Sequence, residues 1–423
     1  MSRARWRALK IGSGTLGAQA ISFIFLPIIT RIYNPKEYGK LSIFLSVALI
    51  LIPMCTLKFD VILVVVKKNS IAKTLLKISL INSVILSLIT FPLVTFYFYK
   101  FERMNLQNSY LNGLLFSLLL VLQSFTILLL QFALRSHKDN SLVASSVLQN
   151  ASISILQIGL GKISSKGELL VSGFIVGKTL GVLPLVRLLR NEKFDQKSNK
   201  VNLKSILWEY AKPARQLIAS ALLNSTALGL PIFVIGSIFG LNYSGHIGIT
   251  QAILTVPITL IGGSIGSVLI SEISKIKHEN PQEAPGIIKQ FLKPLIGASI
   301  IFTIVSMLVG AKLVEYFLGS NWGDSSKLMF WLSIPFGIAF LWQPLSNLIF
   351  AESNWKVYFL LSLAQFIFSF IFGFASIFMG LNWLQTAVAF ASGSAIAQLL
   401  GIYLVTKNFI SINLNMKCFK SFN

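Results

Sequence analysis

Several ionisable side chains lie in stretches of sequence that are otherwise too apolar to hold them. Lys178 is the most central, because no other charged residue stands between Glu168 and Arg187. A charge at the centre of a bilayer costs roughly 3 kcal/mol or more, so such a side chain is expected to face protein or water and to have a function. Because a lysine ammonium binds anions such as phosphates as a point charge, Lys178 predicts a site for an anionic ligand.

The other charges in apolar runs allow both a functional and a structural interpretation. Lys58 and Asp60 lie near the end of the second run, where they could line the same cationic cavity or neutralise each other as an ion pair. Arg31 and Arg215 lie near the ends of the first and seventh runs, where they could join the cavity or extend to the membrane interface. Asp60 is also the candidate for coupling transport to an ion, since the other acidic residues lie outside the runs or at their ends.

Amide side chains recur on several apolar runs, together with hydroxyls at helical spacing. The candidates for a cavity lining are Gln19, Asn150, Gln157, Asn224, Gln251 and Asn347, and further amides of the second half are Gln343, Gln365 and Gln398. Each of them could instead hold two helices together by hydrogen bonds. As a set, an amide-rich and hydroxyl-rich lining favours a sugar over an apolar drug as the ligand.

Other motifs resemble catalytic or nucleotide-binding sites but stand in the wrong context. Residues 12–17 match the dinucleotide fingerprint, but a basic arm precedes them where a strand is required. Residues 173–179 resemble a phosphate loop with one residue too few, and glycines at 173, 177 and 181 predict close helix packing instead. The three histidines lack metal-ligand spacing. We therefore expect no catalytic residues, no cofactor and no metal.

The elements that must position these residues are membrane-spanning helices. The sequence is 54% hydrophobic and only 12% charged, whereas soluble domains carry roughly 25% charged residues. A helix needs about 20 mostly apolar residues to cross the hydrocarbon, and such runs extend along the whole chain. The sequence predicts an all-α integral membrane protein with twelve spans, at 11–32, 40–63, 76–99, 111–134, 141–161, 169–189, 213–238, 244–270, 291–318, 326–350, 355–380 and 383–407.

The distribution of Lys and Arg predicts that both termini are cytoplasmic. With that orientation the inward segments hold roughly three times as many basic residues as the outward loops. This bias and attraction to anionic membrane lipids account for the net charge of +23. The sequence has no basic-aromatic module of the kind that binds nucleic acid, so we expect no nucleic-acid partner. The polar segment 190–211 predicts a cytoplasmic linker between an N-terminal six-helix bundle, 1–189, and a C-terminal bundle with a short cytoplasmic tail, 212–423.

A weak internal repeat relates the two halves of the chain. Residues 38–43 open the second span and residues 244–249 open the eighth, each after a Pro-containing helix and a short polar link. Gln149 in the fifth span and Gln365 in the eleventh correspond at a similar offset. Repeated halves that meet around a central site are a common design of transporters.

The N-terminal sequence also carries a family resemblance. Residues 26–39, Leu-Pro-Ile-Ile-Thr-Arg-Ile-Tyr-Asn-Pro-Lys-Glu-Tyr-Gly, resemble the opening of bacterial polysaccharide-repeat-unit flippases. These are the O-antigen and capsule exporters of the multidrug/oligosaccharidyl-lipid/polysaccharide superfamily. Residues 57–63 look like the basic-aromatic-acidic segment of that family, and residues 252–257 and 271–275 are similar to its eighth-helix pattern.

The resemblance implies two six-helix bundles around a central cavity in the bacterial cytoplasmic (inner) membrane. The implied substrate is an undecaprenyl-pyrophosphate-linked oligosaccharide, flipped to the outer leaflet by alternating access for O-antigen (lipopolysaccharide), capsule or exopolysaccharide assembly. Each glycan hydroxyl costs a few kcal/mol to strip of water, so a wet polar cavity would lower the barrier. The polymerase and chain-length proteins of the same pathway are the implied protein partners.

Three other functions compete with this interpretation. A cation-coupled multidrug exporter would share the fold but should prefer acidic and aromatic cavity residues. A membrane polymerase or ligase would be expected to have a large outward loop, and the predicted outward loops are short. A lipid-linked peptidoglycan precursor flippase is the closest rival and typically has two more spans than the twelve predicted here.

Overall fold

The computed structural model describes residues 3–66, 68–100, 105–191, 203–279, 284–351 and 355–414. Every regular element within these ranges is helical. The α-helices are α1 (Arg3–Ile32), α2 (Pro35–Thr56), α3 (Phe59–Val65), α4 (Asn69–Lys100), α5 (Leu106–Arg135), α6 (Asp139–Ile163), α7 (Gly167–Asn191), α8 (Leu203–Phe239), α9 (Leu241–Pro257), α10 (Gly263–Glu279), α11 (Ala284–Ile304), α12 (Ala311–Leu318), α13 (Gly323–Ala351), α14 (Trp355–Phe378) and α15 (Trp383–Leu414). Part of the predicted linker, 192–202, and part of the predicted tail, 415–423, lie outside the described residues.

Twelve stretches of helix in the described part of the chain are long and apolar enough to cross a membrane. They are Lys10–Ile32, Pro35–Thr56, Asn69–Lys100, Leu106–Arg135, Asp139–Ile163, Gly167–Leu189, Ala214–Phe239, Leu241–Ile270, Gln290–Leu318, Ser320–Ile349, Lys356–Phe378 and Trp383–Lys407. Each of them overlaps one of the predicted spans. The prediction of an all-α, multi-pass membrane protein is therefore confirmed.

The second span differs from the predicted continuous helix, 40–63. Helix α2 ends at Thr56 and the short helix α3 begins at Phe59. Leu57 and Lys58 between them each have a φ of 52°, in the left-handed region that residues other than glycine rarely adopt. Hydrophobicity alone could not reveal this break, because both halves of the run are apolar.

Side chains of helix α4 supply hydrogen bonds to backbone carbonyls at the break in the second span. The hydroxyl of Ser79 on α4 donates to the Thr56 carbonyl at 2.8 Å, and the amide of Asn82 donates to the carbonyls of Met54 and Cys55 at 2.7 and 2.9 Å. These carbonyls belong to the last turn of α2, where regular helical N–H donors run out. The Met54 carbonyl also accepts from the Leu57 N–H at 3.3 Å. Since backbone groups in hydrocarbon must be satisfied within the protein, helix α4 makes the break possible.

The internal contacts divide the chain into two compact units. One consists of Met1–Leu222 with Gly236–Gly245, and the other of Leu223–Ile235 with His246–Asn423. Helices α8 and α9 each contribute residues to both units.

In the first unit, α6 and α7 pack backbone against backbone along a row of glycines. A Cβ atom added at Gly173, Gly177 or Gly181 of α7 would lie 3.1, 2.5 or 2.5 Å, respectively, from a Cα atom of α6. The predicted close-packing face is therefore confirmed, and it follows the small-residue rule of membrane helices. Because successive residues of a helix are turned by about 100°, the glycine face toward α6 directs Lys178 elsewhere, toward α5.

The two segments of the internal repeat contact each other within the first unit. Gly39 of α2 faces the carbonyl of Leu241 at the start of α9, and Gly245 of α9 faces the carbonyl of Pro35 at the start of α2. A Cβ atom at either glycine would lie 1.9 Å from the facing oxygen. Gly39 lies one helical turn after Pro35, and Gly245 lies one helical turn after Leu241. The starts of α2 and α9 therefore approach each other closely through a glycine on each helix.

In the second unit, Pro257 ends α9 and a π-helical turn, Ile258–Gly262, leads into α10. Proline lacks an N–H and its ring clashes with the carbonyl four residues earlier, so Pro257 interrupts the α-helical hydrogen bonding of the last turn of α9. The π-helical turn follows directly. Ile258, Leu295 and Phe340 form a buried apolar cluster that packs this turn against α11 and α13. The cluster thereby fixes the wall of a cavity described below.

We expect Gly177→Ala to destabilise the first unit, although alanine is the better helix former. The added Cβ atom would lie 2.5 Å from the Cα and N atoms of Ile153, so α6 and α7 would have to separate. Overpacking of this kind typically costs about 1–3 kcal/mol. Thermal unfolding of the purified protein should show a lower Tm.

The matched control is Gly159→Ala on α6, where the new Cβ atom meets nothing within 4 Å. We expect it to leave the Tm unchanged or to raise it, since glycine in a helix costs about 1 kcal/mol relative to alanine. Equal Tm values for the two variants would contradict the backbone packing described for α6 and α7.

Candidate functional site

Lys178 is held between α5 and α7 by groups that carry no charge. Its side chain is buried, with a residue exposure of 6%, and its Nζ atom donates to Oε1 of Gln123 at 2.5 Å. The same Nζ atom lies 5.5 Å from the centre of the Phe174 ring. Within the described ranges, none of the ion pairs includes Lys178. The ammonium therefore lacks the counter-charge that normally accompanies a buried cation, and an anionic ligand would supply it.

Lys58 and Asp60 form the ion pair that was the structural alternative for them. The Lys58 Nζ atom lies 3.7 Å from Oδ2 of Asp60, and the Thr56 hydroxyl donates to Oδ1 at 2.9 Å. Asp60 is buried, while Lys58 is partly exposed. This pair stands at the break between α2 and α3, so it has a structural role there. A part in the substrate cavity or in ion coupling stays a prediction.

The amides predicted for the first half contact neighbouring helices. Asn150 of α6 accepts from the Ser22 hydroxyl of α1 at 2.7 Å, which links the two helices. Gln157 donates through Nε2 to the Leu170 carbonyl of α7 at 3.3 Å. Gln19 differs, because its Oε1 atom is buried and has no donor among the described residues. Of these three amides, Gln19 alone retains an unused buried acceptor.

Arg31 and Arg215 are exposed at the ends of their spans. Arg31 lies in the last turn of α1, and Arg215 follows the first residue of the seventh span. These positions allow both guanidinium groups to reach the membrane interface, which was the structural alternative for them.

The second unit contains a polar cavity bounded by α8, α9, α13, α14 and α15. It offers about 140 Å³ to water-sized molecules. The polar residues that line it are the amides Asn224, Gln343, Gln365 and Gln398, the hydroxyls Thr255, Thr259, Ser346 and Ser362, and Tyr358. We call this space the amide cavity. All four amides belong to the set that the sequence analysis singled out.

Gln398 of the amide cavity lines more than one space and buries an acceptor without a donor. It also lines a second space of about 60 Å³, together with Gln251 and Ser394. Its side chain is buried, with an exposure of 7%, and its Oε1 atom has no donor among the residues that the structure describes. Asn347 lines neither space and packs against Gly266 instead. Of the amides predicted for the second half, Asn224 and Gln251 thus face cavities and Asn347 does not.

Sequence reasoning missed two contacts of α7 in the first unit. Gln123, the partner of Lys178, lies on α5 and was not singled out, because nothing local distinguishes it from other glutamines. Lys40 pairs with Glu168 at 2.5 Å and joins α2 to α7. The opposite charges at the ends of two spans were a usable signal, but their large separation in sequence gave no hint that they meet.

The histidines and acidic residues give no metal site in the described part of the chain. His246 is buried, and its Nδ1 atom lies 2.8 Å from the Ser325 hydroxyl. Its ring packs against the indoles of Trp322 and Trp383 at 5.5 and 6.0 Å. This environment is a packed aromatic cluster.

Solved transporter structures share the fold of the chain. A multidrug resistance MATE family transporter of the MOP superfamily, in an inward-facing conformation, is 15% identical with a TM-score of 0.69 over 95% of this chain and 96% of that one. The lipid II flippase MurJ, in an inward closed conformation, is 16% identical with a TM-score of 0.62 over 94% and 89%. A MOP superfamily transporter from Pyrococcus furiosus is 13% identical with a TM-score of 0.63 over 96% of both chains. At these identities the likeness shows the fold alone.

The family is shown by the sequence itself. No curated protein matches the chain significantly. A family profile described as "Polysaccharide biosynthesis protein" matches residues 28–327, which is more than half of the chain. The match includes residues 28–39 and 57–63 of the resemblance, Lys178 and part of the second unit. The chain belongs to the polysaccharide biosynthesis protein family.

Proposed function

We propose that this membrane protein flips an undecaprenyl-pyrophosphate-linked oligosaccharide from the cytoplasmic to the outer leaflet of the bacterial inner membrane. The observation that carries the proposal is Lys178, a buried cation without a carboxylate partner among the described residues, in a member of a polysaccharide biosynthesis family. The fold shared with a lipid II flippase supports movement of a lipid-linked substrate. The product would serve assembly of O-antigen, capsule or another exopolysaccharide.

Lys178 would act on the pyrophosphate group. Its Nζ atom donates to the neutral Oε1 of Gln123. A hydrogen bond from an ammonium to a phosphate oxygen is roughly twice as strong as one between neutral groups. The phosphate would therefore replace Gln123 as the acceptor, and Gln123 would receive the ammonium again when the substrate leaves. No covalent bond is made or broken in this cycle.

We expect the loss of the Lys178 charge to lower transport strongly without loss of the protein. A strain lacking the gene would be complemented with wild type, Lys178→Met, Lys178→Arg or Lys162→Met, and its surface glycan measured. Lys178→Met should lower surface glycan by about tenfold or more, because a hydrogen bond to a charged group contributes about 1.5–3 kcal/mol. Lys178→Arg should retain part of the activity, since arginine keeps the charge. Lys162 is an exposed lysine, so Lys162→Met is the matched control.

Each other outcome of this experiment has a distinct meaning. If deletion leaves surface glycan intact and changes drug sensitivity, the protein is a drug exporter and the proposal is wrong. If deletion blocks peptidoglycan synthesis instead, the substrate is the peptidoglycan precursor. If deletion abolishes surface glycan and Lys178→Met restores it fully at normal membrane levels, the function stands and the anion site does not.

The ion pair at the break in the second span generates a separate prediction. We expect Asp60→Asn to lower the free energy of unfolding by about 1–3 kcal/mol, because Lys58 then loses its partner in a largely buried place. The double variant Lys58→Met with Asp60→Asn should recover much of that loss, since it leaves no unpaired charge. Thermal unfolding of purified single and double variants measures both effects. An unchanged Tm for Asp60→Asn, with loss of gradient-driven transport, would instead identify Asp60 as the coupling residue.

A further inference from the structure

The amide cavity of the second unit points to a second recognition site, with a chemistry different from that of Lys178. We infer that it is a subsite for one uncharged sugar of the oligosaccharide, an inference that rests on the proposed function. The inference concerns the second unit alone. It follows from the charge of the lining, the hydrogen-bonding capacity that the lining leaves unused, and the size of the space.

The lining of the amide cavity carries no charged residue among those described. A pyrophosphate or a sugar acid would therefore find no counter-charge there, and desolvation of its charge would be uncompensated. A ligand cation would likewise meet no carboxylate. Amides and hydroxyls are instead the groups that pair with the neutral hydroxyl and acetamido groups of sugars.

Several hydroxyls of the amide cavity already donate a hydrogen bond to a backbone carbonyl three or four residues earlier in the chain. Thr259 donates to the Thr255 carbonyl at 3.1 Å, Ser346 to the Gln343 carbonyl at 2.9 Å and Ser362 to the Tyr358 carbonyl at 2.8 Å. A hydroxyl oxygen that has donated can still accept hydrogen bonds. The capacity that these hydroxyls leave for a ligand is therefore that of acceptors.

Gln398 adds the strongest indication that a hydrogen-bond donor is missing. Its Oε1 atom is buried and receives no hydrogen bond within the described residues. Buried polar atoms almost always have a partner, and one that lacks a partner needs an explanation. A sugar hydroxyl or an acetamido N–H in the amide cavity would provide the donor.

The size of the amide cavity suits one sugar residue. Its volume of about 140 Å³ would hold on the order of five water molecules, since each occupies roughly 30 Å³ in the liquid. That is the space of a sugar ring and not of an oligosaccharide. The aromatic side chain of Trp342 also lines the cavity and offers an apolar face to the C–H groups of a ring.

The test measures the binding of the two ends of the substrate separately. Lipid-linked glycan would be extracted from a strain that lacks the gene, and its labelled form bound to the purified full-length protein in nanodiscs. Two competitors are compared: undecaprenyl pyrophosphate without sugar, and the free glycan released from the extract by mild acid. Sugar analysis of the same extract establishes which residues are neutral.

We expect Gln398→Leu to weaken competition by the free glycan at least tenfold and to leave competition by undecaprenyl pyrophosphate unchanged. Lys178→Met should weaken competition by undecaprenyl pyrophosphate and leave competition by the free glycan unchanged. Gln216→Leu is the matched control, because Gln216 is an exposed glutamine of the first unit. Without ligand, Gln398→Leu should have the same Tm as wild type or a higher one, because it removes a buried unpaired acceptor.

The subsite is overturned if the free glycan displaces the labelled lipid-linked glycan equally well from wild type and from Gln398→Leu. A loss of both competitors in Gln398→Leu, which indicates a structural role, would also overturn it, as would an extract that contains acidic sugars only. If wild type binds no lipid-linked glycan, or the strain accumulates none, the proposed function itself fails. The failure of the subsite and the failure of the function are thus distinct results.

Discussion

The cost of a polar group without a partner in hydrocarbon is the constraint on which the rest of this structure depends. At the end of α2, side chains of α4 satisfy the carbonyls that the broken helix leaves open. Asp60 has Lys58, and Lys40 has Glu168. Against this background of paired groups, several side chains stand out. Among the described residues, Lys178 has only neutral contacts, and Gln19 and Gln398 each bury an amide oxygen without a donor. The Thr386 hydroxyl is likewise buried there without a hydrogen-bond partner.

Two of these exceptions, Lys178 and Gln398 of the amide cavity, differ in chemistry in the way that a lipid-linked glycan requires. Lys178 offers a positive charge, which suits a pyrophosphate, whereas the amide cavity offers neutral hydrogen-bonding groups, which suit a sugar. Close packing of glycines makes the first arrangement possible, because the backbone contact of α6 with α7 directs Lys178 toward α5. The apolar cluster around Ile258 makes the second possible, because it fixes the π-helical turn beside the amide cavity.

Much of the fold was predictable from sequence, because crossing a bilayer imposes length and composition on each span. The row of glycines in α7 was predictable for a similar reason, since its four-residue spacing places it on one helix face. The break at Leu57 and Lys58 was not, because it depends on Ser79 and Asn82 of another helix. The site was only partly predictable: sequence identifies the amides but does not give the rotation of each helix. Asn224 therefore lines the amide cavity and Gln251 the second space, while Asn347 lines neither of the two.

The most direct measurement of the central claim is translocation by the purified protein in liposomes. Vesicles with undecaprenyl-pyrophosphate-linked glycan in both leaflets would be exposed to a glycan-cleaving enzyme that cannot cross the membrane. The account predicts that the enzyme reaches the glycan of both leaflets when the protein is present, and only that of the outer leaflet in protein-free vesicles. Continued protection of the inner leaflet in vesicles that contain correctly folded protein, with any ion gradient supplied, would contradict the account.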